Sequence, residues 1–260
     1  TFMAIKTFGT RVDDMIIKDP VAMKVAFGEN PKRVYSGKGK TPSTRMGTAA
    51  VLREVLARTV RYNQQIEAAG DDSTKLPQYD AKLEAMLPVI RREIPIKAHA
   101  HRADDIFTAI RIAKEFNIRI TLDHCTDGAL IADTLAKEGL PAIVGPSFGH
   151  RTKFELTNKS FVTPGILARA GVKVAITTDS PVTPLHSLPL MAGMAVAAGM
   201  DQEEALRAIT LNPAEIIGIE DRVGSITPGK DADIVIFDGH PFEISAKPWM
   251  VLVDGINIKE

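Results

Sequence analysis

Apolar residues recur along the middle of this chain with two spacings that alternate. Four runs are apolar at every second position or throughout and predict strands, at 95–101, 118–124, 141–147 and 172–179. Between and after these runs, apolar residues recur at helical spacing and predict helices at 103–116, 128–138, 163–171 and 188–198. Because such alternation is typical of parallel strands joined by right-handed crossovers, the predicted fold class is α/β, with a parallel sheet that is either open or closed into a barrel.

The pattern differs on both sides of this region. Upstream, a strand is predicted at 23–28, and two helices follow it, the first of which begins at Thr41 with a proline at its first helical position. Towards the other end of the chain, glycines separate short strands and no helix follows them. We therefore predict two domains, a barrel-like domain over 1–221 and a small β appendage over 222–260.

The composition narrows the classes of partner. Lys+Arg and Asp+Glu both number 32 and aromatic residues make up 5% of the chain, so nothing indicates binding to nucleic acid. No apolar run approaches the ~18 residues of a membrane-spanning helix, and no signal peptide is visible. The single cysteine, Cys125, excludes an intrachain disulfide and fits a reducing compartment, so a cytoplasmic location is expected.

Three of the predicted strands end in side chains that bind metals. His99 lies near the end of the first, His124 ends the second, and Asp179 ends the fourth. Imidazole nitrogens and carboxylate oxygens are common ligands of hydrolytic zinc, and the carboxyl ends of parallel strands are where sites form. The pattern predicts a site for a divalent metal. The residues alone leave open the alternative that each is an ordinary capping or core residue.

Strand periodicity accounts for the positions of His99 and His101 better than for that of His124. Lys97, His99 and His101 share one face of their strand, because residues two apart point the same way. His124 falls on the apolar face of its strand, whereas Asp123 would face the helices. Either a bulge near Asp123 or an apolar filling of the barrel would explain this. Cys125 cannot pair with His124 on a regular strand, so a small buried residue is expected there.

The order of these strand ends resembles the amidohydrolase superfamily of metal-dependent hydrolases. The segment 223–235, VGSITPGKDADIV, is similar to the one by which those enzymes re-enter their β-sandwich. The segment 209–214, ITLNPA, resembles the helix start that precedes it, and 177–181, TTDSP, resembles the last barrel strand of the imidazolonepropionase-like branch.

The resemblance implies a fold and a chemistry. The fold is a partial (β/α)8 TIM-type barrel, with strands about 4/5 to 8, and a small C-terminal β-sandwich piece. The activity is hydrolysis of a C–N bond in a small-molecule substrate, namely a cyclic amide, an amidine or a peptide-like amide, by a metal-activated water. The expected cofactor is a divalent metal, with zinc as the first candidate.

The resemblance also assigns roles by position. His99, His124 and Asp179 bind the metal, and Asp179 also takes the proton from the attacking water. Glu29 and Lys24 are alternative candidates for a further ligand. Candidates for substrate binding are His101, His150, Arg151 and His186. His101 is also the second choice for the ligand on its strand, and the other three are equally compatible with ordinary surface positions.

One departure from the family pattern is large. The family carries His-x-His on its first strand, whereas the only His-x-His here is His99 and His101, which stand later in the order. We therefore expect the strands before the fourth, and half of the sandwich, to be missing from this chain. A further segment, or another copy in a homo-oligomer, would then complete the barrel. The competing hypothesis is a non-catalytic barrel fragment that acts as an assembly subunit.

Overall fold

The computed structural model describes residues 1–259, and its larger sheet has six strands. They lie side by side in chain order: β1 (Phe2–Ile5), β2 (Ile16–Ala26), β3 (Ile96–Ala100), β4 (Ile120–His124), β5 (Ala142–Val144) and β6 (Val174–Ile176). Strands β2 to β6 are parallel to one another, and β1 pairs with β2 in the antiparallel sense. This curled, mostly parallel sheet is half of a barrel, so the prediction of an α/β fold is confirmed.

Helices fill the connections between the strands. Those before β3 are α1 (Val12–Met15), α2 (Glu29–Ser36), α3 (Arg45–Ala69) and α4 (Ala81–Ile90). Those between β3 and β6 are α5 (Ala103–Glu115), α6 (Ala132–Glu138) and α7 (Val162–Arg169). Those after β6 are α8 (Leu188–Ala197), α9 (Gln202–Arg207) and α10 (Leu211–Ile217). Within residues 1–259, none of the helices combines the length and the apolar character that crossing a membrane requires.

The start of α3 differs from the sequence prediction. The helix begins at Arg45 and not after Thr41, because the side chain of Thr44 accepts a hydrogen bond of 2.9 Å from the backbone N–H of Gly47. A threonine oxygen that satisfies an otherwise free amide of the first turn fixes the helix start at that residue. The prediction of a helix start at Thr41 is therefore wrong by three residues.

The main core lies between the sheet and the helices that follow β3 and β4. Ile96, Ala98 and Leu122 are fully buried and belong to the same apolar cluster as Ile106 and Ile112 of α5. These strand residues occupy alternate positions, so the other face of the sheet is left for polar side chains. That face is the concave one, and it carries the candidate site.

Strand β6 is shorter than predicted. The expected strand ran from 172 to 179, but regular pairing ends at Ile176, and Thr177 makes one last bond to the carbonyl of Val144 at 2.9 Å. Asp179 has a φ of 49°, in the left-handed region, so the chain turns there. Its side chain therefore projects from a turn beyond the strand end.

The C-terminal region forms a separate antiparallel sheet of β7 (Ile234–Phe237), β8 (Pro248–Val253) and β9 (Ile256–Asn257). The nearly buried ammonium of Lys6 ties the N-terminal segment to this region. Its Nζ lies 2.7 Å from Asp231, 2.5 Å from Asp233 and 2.9 Å from Asp254. One cation is thus shared by three carboxylates.

The Lys6 cluster predicts a pH dependence of stability. Burial lowers the pKa of Lys6, but its hydrogen bonds to the three carboxylates outweigh burial and raise that pKa above its ordinary value. The hydrogen bond from Lys6 lowers the pKa of Asp231 below 3.8. Because the folded-state pKa of Asp231 is depressed, its contribution to stability is present above 3.8 and is lost as the pH falls further.

In Lys6→Met the three carboxylates face one another without their ammonium, so acidification relieves repulsion between them. We expect the free energy of unfolding of wild type to fall as the pH drops from about 4 to about 2, and that of the variant to fall less or to rise. Urea titrations across this range measure the difference, with Lys82→Met on the exposed surface as the control. Parallel curves for wild type and Lys6→Met would show that the cluster does not carry this dependence.

Candidate metal centre

Three histidines meet at the carboxyl ends of β3 and β4. His99 lies on β3, His101 follows that strand, and His124 is the last residue of β4. One ring nitrogen from each can be chosen such that all three atoms lie within 4.8 Å of one another. The exposed fractions of the three residues are 6%, 6% and 4%. Imidazoles gathered this closely and buried this deeply have the composition of a metal site.

His99 on β3, and His101 directly after it, have the positions that strand periodicity predicts. Ile96 and Ala98 are in the core on the helix side, so His99 points to the concave face. The rings of His99 and His101 lie edge to face with their centroids 4.7 Å apart. The shared face of these residues is therefore confirmed, and His101 joins the cluster directly.

Strand β4 departs from its simple pattern at its end. Asp123 does not face the helices: it lies opposite His99 in the sheet and accepts a hydrogen bond from Nζ of Lys97 on the concave face. His124 reaches the same site because its φ is 72°, in the left-handed region. A non-glycine residue there costs on the order of 1–3 kcal/mol, and such strain is commonly found at functional sites.

Cys125, the next residue, also has a positive φ, of 44°. It is fully buried in the main apolar core, and burial raises the pKa of its thiol. The expectation of a small buried residue is confirmed.

The rings of His124 and His101 form different hydrogen bonds. Nδ1 of His124 lies 2.6 Å from the carbonyl oxygen of Gly145, and a carbonyl only accepts, so Nδ1 carries the proton. Nε2 of His124 then has a free lone pair, and it is buried without a hydrogen-bond partner. Nδ1 of His101 lies 2.7 Å from Oγ1 of Thr126. A buried, unpartnered imidazole lone pair beside two other imidazoles fits a divalent metal.

The carbonyl that orients His124 depends on a glycine. Gly145 has a φ of 128°, and a Cβ at this position would lie 2.2 Å from the carbonyl oxygen of Thr177. A side chain here would push β5 away from the segment that follows β6, and would move the Gly145 carbonyl that holds the His124 ring.

The electrostatics of the cluster keep the imidazoles neutral. Burial is the largest cause and lowers the pKa of all three rings, that of His101 to about 3. The neighbouring rings lower the pKa of His99 and His101 further, as does the charge of Lys153. The hydrogen bond to Gly145 and the charge of Asp179 oppose burial at His124. Neutral imidazole is the form that binds metals, so the cluster is prepared for that role.

The other candidate ligands lie around this cluster. Asp179 is exposed in the turn after β6 and is outside the group of three, although its charge acts on His124 and on Lys24. Lys24 is on β2, and its Nζ lies 3.7 Å from Oδ2 of Asp123. Burial lowers the pKa of Lys24, with the charge of Asp123 opposing it. Glu29 begins α2 and is also outside the group.

The remaining candidates for substrate binding are exposed loop residues. His150 and Arg151 lie between β5 and α7, where Nη2 of Arg151 donates to the carbonyl of Lys159 at 3.0 Å. His186 lies in the short turn before α8. None of the three contacts the histidine cluster through a hydrogen bond within the described residues.

Sequence reasoning missed three residues beside the cluster. Nδ2 of Asn30 lies 3.1 Å from Nε2 of His99, and Nζ of Lys153 donates to Oδ1 of Asn30. Glu155 is buried nearby, and its Oε1 lies 3.8 Å from Nζ of Lys153. Asn30 is in α2 whereas the other two are in the loop after β5, so no local pattern connects them.

Parallel strands in chain order, with imidazoles gathered at their carboxyl ends, are the features of the metal-dependent α/β-barrel enzymes. Comparison with known families agrees with this class. The model of the amidohydrolase family matches residues 17–259. This chain belongs to the amidohydrolase family, and the family predicted from the sequence is confirmed.

Individual relatives are similar over different parts of the chain. Amidohydrolase tasK of Hapsidospora irregularis is 28% identical over 90% of this chain and 25% of its own length. An imidazolonepropionase of Mesorhizobium japonicum is 33% identical over 56% of this chain and 35% of its own length. The chain thus spans 25% to 35% of these curated relatives. The predicted similarity to imidazolonepropionases is confirmed.

A solved structure matches almost the whole chain. The amidohydrolase from Thermotoga maritima MSB8 superposes with a TM-score of 0.96 at 43% sequence identity. The match covers 99% of this chain and 67% of that one. The half-barrel and the small sheet therefore have the arrangement found in a longer amidohydrolase.

Proposed function

We propose that this protein hydrolyses a C–N bond with the help of a divalent metal held at the histidine cluster. The substrate class is a cyclic amide, an amidine or a peptide-like amide. The observation that carries the proposal is the free, buried lone pair on Nε2 of His124 beside His99 and His101. Membership of the amidohydrolase family, and the relatives named amidohydrolase and imidazolonepropionase, support it.

Each residue of the site has a separate role in the proposed hydrolysis. His99 and His124 bind the metal, and His101 has a position from which it serves as a third ligand or contacts the substrate. A set of nitrogen donors fits zinc. When bound, such a metal makes water a nucleophile near neutral pH. Asp179, at the rim of the cluster, takes the proton from the water and passes it to the leaving nitrogen. Lys24 and Glu29 are alternative further ligands.

Hydrolysis of a substrate panel tests the function. Protein loaded with zinc or manganese is assayed on cyclic amides, amidines, N-acyl amino acids and dipeptides, and the released amine or ammonia is measured. We expect turnover of at least one class, which a chelator abolishes and added metal restores, and which His124→Ala lacks. Turnover that is insensitive to the chelator, or a metal-loaded protein that is inactive on all four classes, would contradict the proposal.

We further propose that the larger sheet pairs with another segment or with a second copy of the chain. Within residues 1–259 no strand pairs with the outer edge of β1 or of β6, and unpaired edges associate readily. The edge of β6 is partly covered, because Ile176 and Val174 form hydrogen bonds with Ala208 and Asn212. We expect the 28.2 kDa chain alone to self-associate in a sedimentation velocity experiment. A compact monomer that unfolds cooperatively would contradict this and would remove the support for an assembly subunit.

Two predictions from the sequence accompany this function as proposals. The division between 1–221 and 222–260 is supported by the small sheet, whose first strand begins at Ile234. The cytoplasmic location remains a prediction from the composition.

A further inference from the structure

A relay of hydrogen bonds reaches His99 from the loop between β5 and α7. Nζ of Lys153 donates to Oδ1 of Asn30, and Nδ2 of Asn30 lies 3.1 Å from Nε2 of His99. The proposed hydrolysis does not use Asn30 or Lys153. The inference drawn from them rests on the proposed metal centre.

The donors and acceptors of this relay have one consistent assignment. An ammonium group only donates, so the atom of Asn30 that faces Lys153 is the amide oxygen. The amide nitrogen of Asn30 therefore faces His99 and donates to Nε2, which accepts with its lone pair. A neutral imidazole with an accepting Nε2 carries its proton on Nδ1. With the relay intact, neither nitrogen of His99 has a lone pair free for a metal.

Each way of binding a metal breaks the relay. If Nε2 of His99 binds the ion, the amide nitrogen of Asn30 has to leave. If Nδ1 binds it, the proton moves to Nε2, and Asn30 has to turn its oxygen away from Lys153 in order to accept that proton. We propose that Asn30, held by Lys153, is a lock that competes with the metal for His99. His124 has no such competitor, so the ion would bind there first.

The buried side chain of Glu155 anchors the loop that carries Lys153. Glu155 is 1% exposed, and its Oε2 accepts a hydrogen bond of 2.8 Å from the backbone N–H of Glu29. Nη2 of Arg45 lies 3.5 Å from the same oxygen. Gly28 makes room, because a Cβ at that position would lie 2.4 Å from Oε2 of Glu155. Glu155 thus joins the loop to the starts of α2 and α3, two residues away from Lys153.

Metal affinity of matched variants tests the lock. Cobalt(II) or zinc is titrated into metal-free protein in competition with a chromophoric chelator. Asn30→Ala removes the competing hydrogen bond, so its dissociation constant for the metal is expected to fall about fivefold, on the order of one neutral hydrogen bond. Asn158→Ala is the control, because Asn158 lies in the same loop but donates to Asp127, at 2.8 Å. Its dissociation constant should equal that of wild type.

A second variant and a second measurement distinguish competition by Asn30 from a general loosening of the metal site. Lys153→Met frees the amide of Asn30 to rotate, but it also removes a positive charge near His99, which by itself favours a cation. The observable for this variant is therefore the tautomer of His99, which should become mixed. In metal-free protein, ¹⁵N chemical shifts of the imidazoles should show His99 protonated on Nδ1 in wild type and Asn158→Ala, and a mixture of tautomers in Asn30→Ala.

The outcomes distinguish this inference from the proposed function. Wild type that binds metal, together with equal or weaker binding by Asn30→Ala, overturns the lock alone. No binding by wild type together with binding by Asn30→Ala supports the lock strongly. No binding by any of the variants overturns both the lock and the metal centre.

Discussion

Asp179→Asn is expected to slow amide hydrolysis by roughly 10²–10⁴-fold while leaving much of the metal in place. The asparagine keeps the shape of the side chain and one oxygen that can act as a ligand, but it removes the group that accepts the proton. Asp179 lies in a turn with a φ of 49° at the end of β6, and its charge reaches His124. Turnover and metal content have to be measured on the same sample.

The control for this variant is Asp221→Asn, which neutralises an exposed carboxylate in the connection after α10. Its turnover should match that of wild type, so that the loss in Asp179→Asn cannot be assigned to net charge. If Asp179→Asn retained near-wild-type turnover, Asp179 would be removed from the mechanism. If the variant instead lost metal and turnover together, the main role of Asp179 would be that of a metal ligand.

The fold of β3 and part of the site follow from periodicity alone. Ile96 and Ala98 alternate with Lys97 and His99, and an alternating strand has one arrangement that buries the first pair. The structure has that arrangement, so the direction of His99 was predictable. The same reasoning placed the metal candidates at the carboxyl ends of parallel strands.

Periodicity fails where the backbone leaves the β region. At the end of β4 the positive φ of His124 turns its ring into the face that Asp123 already occupies. Nothing in a pattern of apolar and polar residues encodes the sign of φ at a histidine. The register of β3 and β4, which sets His99 opposite Asp123, became visible only in the assembled sheet.

Long-range relations account for the rest of what the sequence did not reveal. Asn30 lies in α2 and Lys153 in the loop after β5, and only folding brings both to His99. The shortness of β6 has a local origin, because the turn at Asp179 replaces the last residues of the predicted strand. The role of His101 was half predicted, as an alternative ligand, and the structure places it within the cluster.

A second large effect, on metal content, is expected when two histidines of the cluster are removed. The His99→Ala, His124→Ala double variant removes two of the three imidazoles, including the one with the free Nε2, and leaves His101 alone. One neutral imidazole in a buried site does not retain a divalent metal against dialysis, so the variant should hold essentially none. The matched control is the double variant His150→Ala, His186→Ala, which removes two exposed histidines from loops outside the cluster.

Elemental analysis after dialysis of these three proteins tests the metal centre most directly. Each is loaded with zinc, dialysed under the same conditions and compared for metal per chain, with circular dichroism used to verify that the variants are folded. The predicted result is metal in wild type and in the His150, His186 control, and none in the His99, His124 variant. Retention of as much metal by the His99, His124 variant as by a metal-containing wild type would contradict the assignment of this cluster as the metal site.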